Sequence, residues 1–358
     1  MTPPTRTTLR EVAAAAGVSV CTASKAVRYE SGVAPATAAR VRAQAKALGY
    51  IPDSSARSLV SRSTHSIGML FSNTLSRYYG SILPAVNSAA HDRGYTVVFG
   101  DSVDAAGVPQ ADLERAFVTS LMSHRVAGVI LMAPITADSL SIFQRWTVPT
   151  VFLDSAPPSG FQDIPSVAAD NFEGGRLAGQ HLVEHGYRSF VFLGHSSVWP
   201  TRKDREDGFV SAVSPYGKAD VLEGGYSAAQ AERAALSYFS TNPDPPDAIF
   251  TSNDTMLLGA ISAMQHVGLR LGDDIAGISF DEFDWASRIG PPVTTVNQHI
   301  DRLGKMAAEM ILDLCGARPH SQQPTQGRRQ IAPELIVRQS CGCSAGSADL
   351  ARPRRLTT

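Results

Sequence analysis

Residue 66 divides this sequence into two textures. Upstream, every segment with a usable period reads as a short helix; downstream, short apolar runs alternate with amphipathic helical stretches. The runs Ile67–Phe71, Thr96–Gly100, Val126–Met132, Thr150–Leu153, Phe190–Gly194, Ala248–Thr251 and Ile275–Phe280 read as strands. Between them, Ile82–Arg93, Asp112–His124, Phe172–His185, Asp204–Val213, Ala228–Ser240 and Thr255–Val267 read as helices. This βαβα order implies parallel sheets covered by helices on both faces. Crossovers are then right-handed, and ligands sit at the carboxyl ends of the strands. Residues 66–340 are too many for one such sheet, so the expected body has two α/β lobes with a binding cleft between them.

The first sixty residues are punctuated by caps and stops. Thr8 caps a helix over Leu9–Ala16, Gly17 stops it, and Ser19 caps a second over Val20–Val27. Pro35 opens a third helix that runs to about Leu48 and ends at Gly49. Two short helices about a glycine-containing turn form a helix-turn-helix, so the expected fold class is an all-α head on an α/β two-lobed body. Charge follows the same division. Residues 1–64 hold nine Lys and Arg against three acids, a balance of +6, and the chain's net −1 leaves −7 for the remainder. A small basic head on an acidic body points to a polyanion partner for the head, the alternative being a solvated basic face.

Composition excludes several classes. Four cysteines (Cys21, Cys315, Cys341, Cys343) make no disulfide framework in a chain of 358 residues and fit a reducing compartment. Cys341-Gly-Cys343 reads as a pair without a nearby His or second pair, and the nine histidines suggest no metal spacing, so neither a metal nor a cofactor is expected. The alanine-rich start, broken by Arg10 and Glu11, is no signal peptide, and no uninterrupted apolar run is long enough to span a membrane; a cytoplasmic protein is expected. There is no G-x-S-x-G elbow, H-E-x-x-H pair or Walker loop, so no enzyme is expected.

The head, TLREVAAAAGVSVCTASKAV with GYIPDSSARSLVS after the third helix, resembles the lactose/galactose repressor (LacI/GalR) family of bacterial transcription regulators. Ordered matches continue to residue 340: SIGML at 66–70, DNFEGGRLAG at 170–179, SNDTMLLGA at 252–260, ISFDEFDWA at 278–286, PPVTTVNQ at 291–298 and PELIVRQSC at 333–341. The resemblance implies that the second helix enters the major groove, with Val20, Cys21 and Lys25 at base-reading positions and Thr22 and Ser24 near phosphates; Thr8 and Ser19 belong to the same surface. Lys25 can donate to guanine, whereas Val20 offers only apolar contact to a thymine methyl or else packs inside the head. Cys21 has a second reading as a redox-sensitive thiol. Asp53–Leu59 resembles the family's hinge helix, too short to be stable alone, in which Arg57 approaches the duplex and Leu59 wedges between base steps; a polar linker is the alternative.

In the body, Arg205 begins an RxxGF turn that the resemblance marks as effector-binding, and Asn253 and Asp281 end strands at the cleft. An Arg, an Asn and an Asp together satisfy vicinal hydroxyls. The resemblance adds Tyr78, Tyr79, Trp199 and Tyr226 as aromatic walls, each with core packing as its alternative, and Asp154 ends its own strand in the same way. Asp254 reads instead as the cap of the following helix. The expected organisation is a DNA-binding head at 1–51, a hinge at 52–65, an effector and dimerisation body at 66–340 and a disordered tail at 341–358. The expected partners are a pseudo-palindromic double-stranded operator, a small-molecule effector, a sugar or derivative in preference to a purine, and a second copy of the chain in a homodimer. A solute-binding protein with the same body lacks the basic head, and a sugar-modifying enzyme needs a catalytic set that is not found here.

Overall fold

Each element of the head starts and stops where local chemistry dictates. Thr8 caps helix α1 (Leu9–Ala16) in a reciprocal box, its hydroxyl accepting from the Glu11 amide at 3.4 Å while its own amide donates to the Glu11 carboxylate at 2.6 Å. Gly17 closes α1 at φ 63°, a left-handed conformation that a residue with a Cβ resists. Ser19 caps α2 (Val20–Val27), accepting from the Thr22 amide at 3.1 Å, and Pro35 opens α3 (Pro35–Ala47). The head's core is built on Val12, Ala23, Ala26 and Val41; the alanines let helix backbones approach. Arg40 and Arg42 of α3 donate to the Ala16 and Ala26 carbonyls, which lie in the last turns of α1 and α2.

The structure is a computed structural model that describes residues 7–50, 65–71, 77–104, 107–316 and 327–343; the Arg77 and Tyr79 side chains also lie outside the description. The hinge readings on Arg57 and Leu59, the aromatic role of Tyr79 and the tail beyond residue 343 therefore fall outside the described residues. The chain forms two compact units, divided between Thr64 and His65.

The body contains two six-stranded sheets of one design. The first lobe runs β1 (Ser66–Phe71), α4 (Arg77–Asp92), β2 (Thr96–Asp101), α5 (Ala111–Ser123), β3 (Gly128–Leu131), α6 (Ala137–Arg145), β4 (Thr150–Leu153) and β5 (Ser166–Ala169). The second runs α7 (Asn171–Glu184), β6 (Ser189–Gly194), α8 (Pro200–Val213), β7 (Lys218–Glu223), α9 (Ala228–Thr241), β8 (Ala248–Thr251), α10 (Asp254–His266), β9 (Ala276–Phe280) and β10 (Thr294–Asn297). The chain then returns to the first lobe with α11 (Ile300–Gly316) and β11 (Arg328–Ile331), and crosses back to end in the second with β12 (Glu334–Ile336). Strand orders are β2-β1-β3-β4-β5-β11 and β7-β6-β8-β9-β10-β12, parallel throughout except where β12 meets β10. In register, Met69 lies between Phe99 and Ile130.

Strands β3, β4, β5 and β8 are buried on both faces, which explains why they are apolar apart from Thr150, Ser166 and Thr251 at strand ends. Helix α11 covers the first sheet with Leu303, Ala307 and Ile311 against Ile67, Met69 and Val151. Full burial of Leu303 or Ile311 contributes about 1.5–3 kcal/mol each.

The seven expected strands and six expected helices are all present, with ends displaced by a few residues. Helix α8 begins at Pro200, four residues before the expected Asp204, because proline is well suited to a first helical position. Strands β5, β7, β10, β11 and β12, and helices α6 and α11, were not anticipated. The four-residue and shorter strands present too few positions for a period, and β7 is an edge strand of mixed burial. For α11 the signal exists, with Leu303, Ala307 and Ile311 at helical spacing, but it lies beyond the strand–helix alternation that ends at Phe280.

Two expectations about the chain's end are overturned. Cys341 and Cys343 do not begin a disordered tail; both are buried in the core of the second lobe. They also have histidine neighbours, since His181 of α7 and His185 at its C-cap pack directly against them. The folded sheet brings together residues some 160 positions apart, a proximity that no local spacing reports.

Candidate functional site

On the head, α2 turns Ala23 and Ala26 inward and leaves Cys21 and Lys25 exposed. Val20 is 44% exposed, so it takes no place in the head's core. Ser24 is half-buried on the same helix. Thr8, Ser19 and Thr22 have structural duties as well: Thr8 and Ser19 are caps, and the Ser19 and Thr22 hydroxyls lie 2.9 Å apart. The free amides at the start of α2 and the basic balance of the head suit a phosphate-bearing partner.

In the body, β4 and β9 occupy equivalent places in their sheets, and each is followed by an aspartate in the left-handed region: Asp154 at φ 49° and Asp281 at φ 75°. Asp tolerates this conformation better than most residues, and it brings both carboxylates to the cavity between the lobes. That cavity, of about 110 Å³ on a measure where one water needs roughly 10–15 Å³, has room for a small ligand.

Arg205 is the fixed centre of the cleft, only 3% exposed. Its Nε donates to Asn171 Oδ1 at 2.7 Å, one terminal nitrogen donates to the Ser252 carbonyl at 2.6 Å, and the guanidinium lies 3.7 Å from the Phe280 ring centroid. The same nitrogen is 3.8 Å from Asp281, which in turn accepts from Gln298 Nε2. Close approach of α7 and α8 makes the Asn171–Arg205 pair possible. A Cβ on Gly175 would collide with the Arg205 carbonyl, and one on Gly208 with the Phe172 carbonyl.

Burial dominates the electrostatics. It lifts Asp281 to about 7, with Asp254 and Asp154 adding to the rise and Arg205 and Gln298 opposing it. Burial also raises Asp154, against Arg205 and a hydrogen bond from Tyr78. Burial and the neighbouring guanidiniums of Arg205 and Arg202 hold His195 well below its usual range. Its Nδ1 lies 2.8 Å from Ser252 Oγ. Asp154 Oδ1 and Gln298 Oε1 are buried without a hydrogen-bond partner.

The cavity thus collects Tyr78, Asp154, Trp199 and Arg205. Tyr226, Asn253 and Asp281 complete the expected set apart from Tyr79. Trp199 also packs on the apolar cluster of the first lobe, near Leu70 and Phe152, so it spans the cleft. The expectation for Asp254 is reversed: Asn253 caps α10, accepting from the Met256 amide at 2.9 Å, while Asp254 is the first helical residue and lines the cavity. Both Asx residues suit a cap, and only the backbone path decides between them. Asn171, His195 and Gln298 were missed. His195 directly follows β6, so the strand-end rule would have found it, whereas nothing local marks Asn171 or Gln298.

Residues 8–53 match the family described as bacterial regulatory proteins, lacI family, and residues 180–341 match the periplasmic binding protein-like domain. The chain is 33% identical over 343 residues to the ribose operon repressor of Escherichia coli K12, covering 93% of this chain and 99% of that protein. It is 31% identical to the HTH-type transcriptional repressor PurR of Photobacterium profundum, covering 93% and 98%. Among solved structures, the lac repressor dimer bound to operator and the anti-inducer ONPF superposes with a TM-score of 0.79 at 26% identity, over 94% of this chain and 99% of that one. Among the described residues, no helix is long and apolar enough to cross a membrane. With a helix-turn-helix head, a two-lobed ligand-binding body and relatives matched along nearly their whole length, the chain belongs to the LacI family of bacterial regulatory proteins, DNA-binding transcription regulators and not enzymes.

Proposed function

We propose that this protein is a homodimeric repressor whose grip on a pseudo-palindromic operator is set by a sugar or sugar derivative held between the two lobes. The observation that carries the ligand class is an unused acceptor beside fixed donors. Asp154 lines the cavity with its Oδ1 buried and without a hydrogen-bond partner, and buried acceptors in native proteins are almost always satisfied. A ligand bearing several hydroxyls supplies the missing donor, and Arg205 and Asn253 contact its oxygens. Tyr78, Trp199 and Tyr226 present the aromatic surface that covers a sugar ring's apolar face. The likeness to a ribose operon repressor supports the same class.

The thermal unfolding midpoint of the full chain, followed across monosaccharides, disaccharides, sugar phosphates and purines, tests this reading because a ligand of the folded state raises the midpoint. A rise with a sugar is the expected result; a rise with purines alone overturns the ligand class. Titrating operator with and without that sugar then measures coupling. Whatever weakens DNA binding must itself be bound more weakly by the DNA complex, by the same factor. Independent titrations with no mutual effect would sink the switch.

On the head, Val20, Cys21 and Lys25 read bases while Thr22 and Ser24 sit by phosphates, with Thr8 and Ser19 holding the helices that present them. Arg57 and Leu59 extend the contact to the minor groove. Duplexes selected from a random pool by the full chain supply an operator for the test. Lys25→Ala is expected to weaken binding by about 1–3 kcal/mol and relax preference at one base pair in each half-site. An equal loss on every sequence, with the salt slope reduced by about one, would assign Lys25 to a phosphate instead.

A further inference from the structure

The second lobe contains a cluster of soft donor atoms away from the effector cleft. Helix α7 presents His181 in its last turn and His185 at its C-cap, and the segment after β12 lays Cys341 and Cys343 against them. The two imidazoles meet edge to face, with ring centroids 4.8 Å apart. His181 Nε2 is 3.2 Å from Cys341 Sγ and 3.7 Å from Cys343 Sγ, and His185 Nε2 is 3.2 Å from Cys343 Sγ. One ligand atom from each of the four residues lies within 4.8 Å of the others. In a tetrahedral Cys₂His₂ zinc site, with Zn–S about 2.3 Å and Zn–N about 2.0–2.1 Å, neighbouring nitrogen and sulfur ligands are about 3.5 Å apart. The observed spacings bracket that value.

We propose that His181, His185, Cys341 and Cys343 form a structural site for a tetrahedral thiophilic divalent cation of the zinc class, pinning the C-terminal segment to α7. Both thiols release a proton on binding, so the two thiolates balance the dication and the imidazoles ligate neutral. No electron transfer is involved.

The surroundings fit this role. Burial pushes His181 down to about 4 and lowers His185, which keeps both rings in the neutral ligating form. Burial, with the neighbouring Cys341 thiol adding to it, lifts the Cys343 thiol to about 12; a dication is the charge that reverses this. The Thr294 hydroxyl donates to Cys341 Sγ at 3.1 Å, an outer hydrogen bond of the kind that orients a ligating thiolate. The Tyr187 hydroxyl donates to the Cys341 carbonyl at 3.2 Å and stacks its ring on His185. With four protein donors the site is closed, which suits a structural cation and leaves no position for substrate. Its signal in the sequence is His-x₃-His on one helix and Cys-x-Cys far downstream.

Cobalt(II) is the probe, added to the full chain after chelator treatment under reducing conditions. The expected result is one cobalt per chain with the intense visible bands of tetrahedral coordination and a thiolate-to-cobalt charge-transfer band, all abolished by equimolar zinc. Zinc also raises the unfolding midpoint of the stripped protein. The double variant Cys341→Ser/Cys343→Ser loses the charge-transfer band although Cys21 and Cys315 remain. His181→Gln, a polar replacement of similar reach at a partly buried position, retains the parent's circular dichroism and weakens cobalt at least tenfold. A weak octahedral spectrum in the parent, or a tetrahedral one unchanged in His181→Gln, overturns the proposal.

Discussion

Replacing Asp281 with Asn is expected to give a protein that folds more stably than the parent at pH 8 and binds its effector at least tenfold more weakly. The carboxyl is buried, 6% exposed, and titrates at about 7 in the folded chain against 3.8 when unperturbed. Below about pH 4 it is protonated in both folded and unfolded chains and has no effect on the balance. Between there and about pH 7 the unfolded chain gives up its proton while the folded chain keeps it, so rising pH favours unfolding by up to about 1.4 kcal/mol per unit. Above about pH 7 the penalty is constant at roughly 4 kcal/mol.

Asparagine removes that penalty, tolerates the left-handed backbone, and its amide oxygen accepts the same bond from Gln298 Nε2. It cannot reproduce a charged acceptor, whose hydrogen bond is worth about 1.5–3 kcal/mol. Urea unfolding from pH 4 to pH 8 and calorimetric titration of the effector check both halves. A parent whose stability shows no fall between pH 4 and pH 7 would remove the buried carboxylate from the argument, and unchanged effector affinity in the variant would move the ligand elsewhere. Keeping a carboxylate at this cost fits a residue retained for binding.

A single methyl group should do nearly as much damage from outside the cavity. Gly208→Ala places a Cβ against the Phe172 carbonyl, so α7 and α8 must separate; neither neighbour is a flexible side chain that can yield. The expected loss is about 3 kcal/mol in the urea transition of the body. Effector affinity should fall as well, because separating the helices draws Arg205 Nε away from Asn171 Oδ1. Gly80→Ala on α4 is the control. Its new Cβ meets open space, so that variant should be neutral or up to about 1 kcal/mol more stable. If Gly208→Ala behaves like the control, helix contact is not what positions Arg205.

These two sites mark the limit of what could be read in advance. Resemblance to the family marked the RxxGF spelling at 205–209 and the cleft aromatics, while the strand ending at Asp281, the lobes and the helix-turn-helix were visible as text. Such features are local: caps, stops and the periods of helices and strands depend on neighbours within one or two turns, and they are written consecutively along the chain. The reason for Gly208 was not visible, because it depends on a carbonyl of another helix. Nor could the sequence choose between Asn253 and Asp254 as the cap, since that choice belongs to the backbone path leaving β8.

The sequence by itself determined an all-α head, a parallel α/β body and a cleft at strand ends, since capping, periodicity and burial on both sheet faces are properties of short segments. Only the tertiary structure decided which lobe receives α11 and β11, how Asn171 and Gln298 reach Arg205 and Asp281, and that His181 and His185 meet Cys341 and Cys343. Those contacts join residues 17 to 162 positions apart: the first two arise where α7 packs on α8 and where β9 and β10 lie side by side, and the last exists because the chain leaves the second lobe and returns to it with β12.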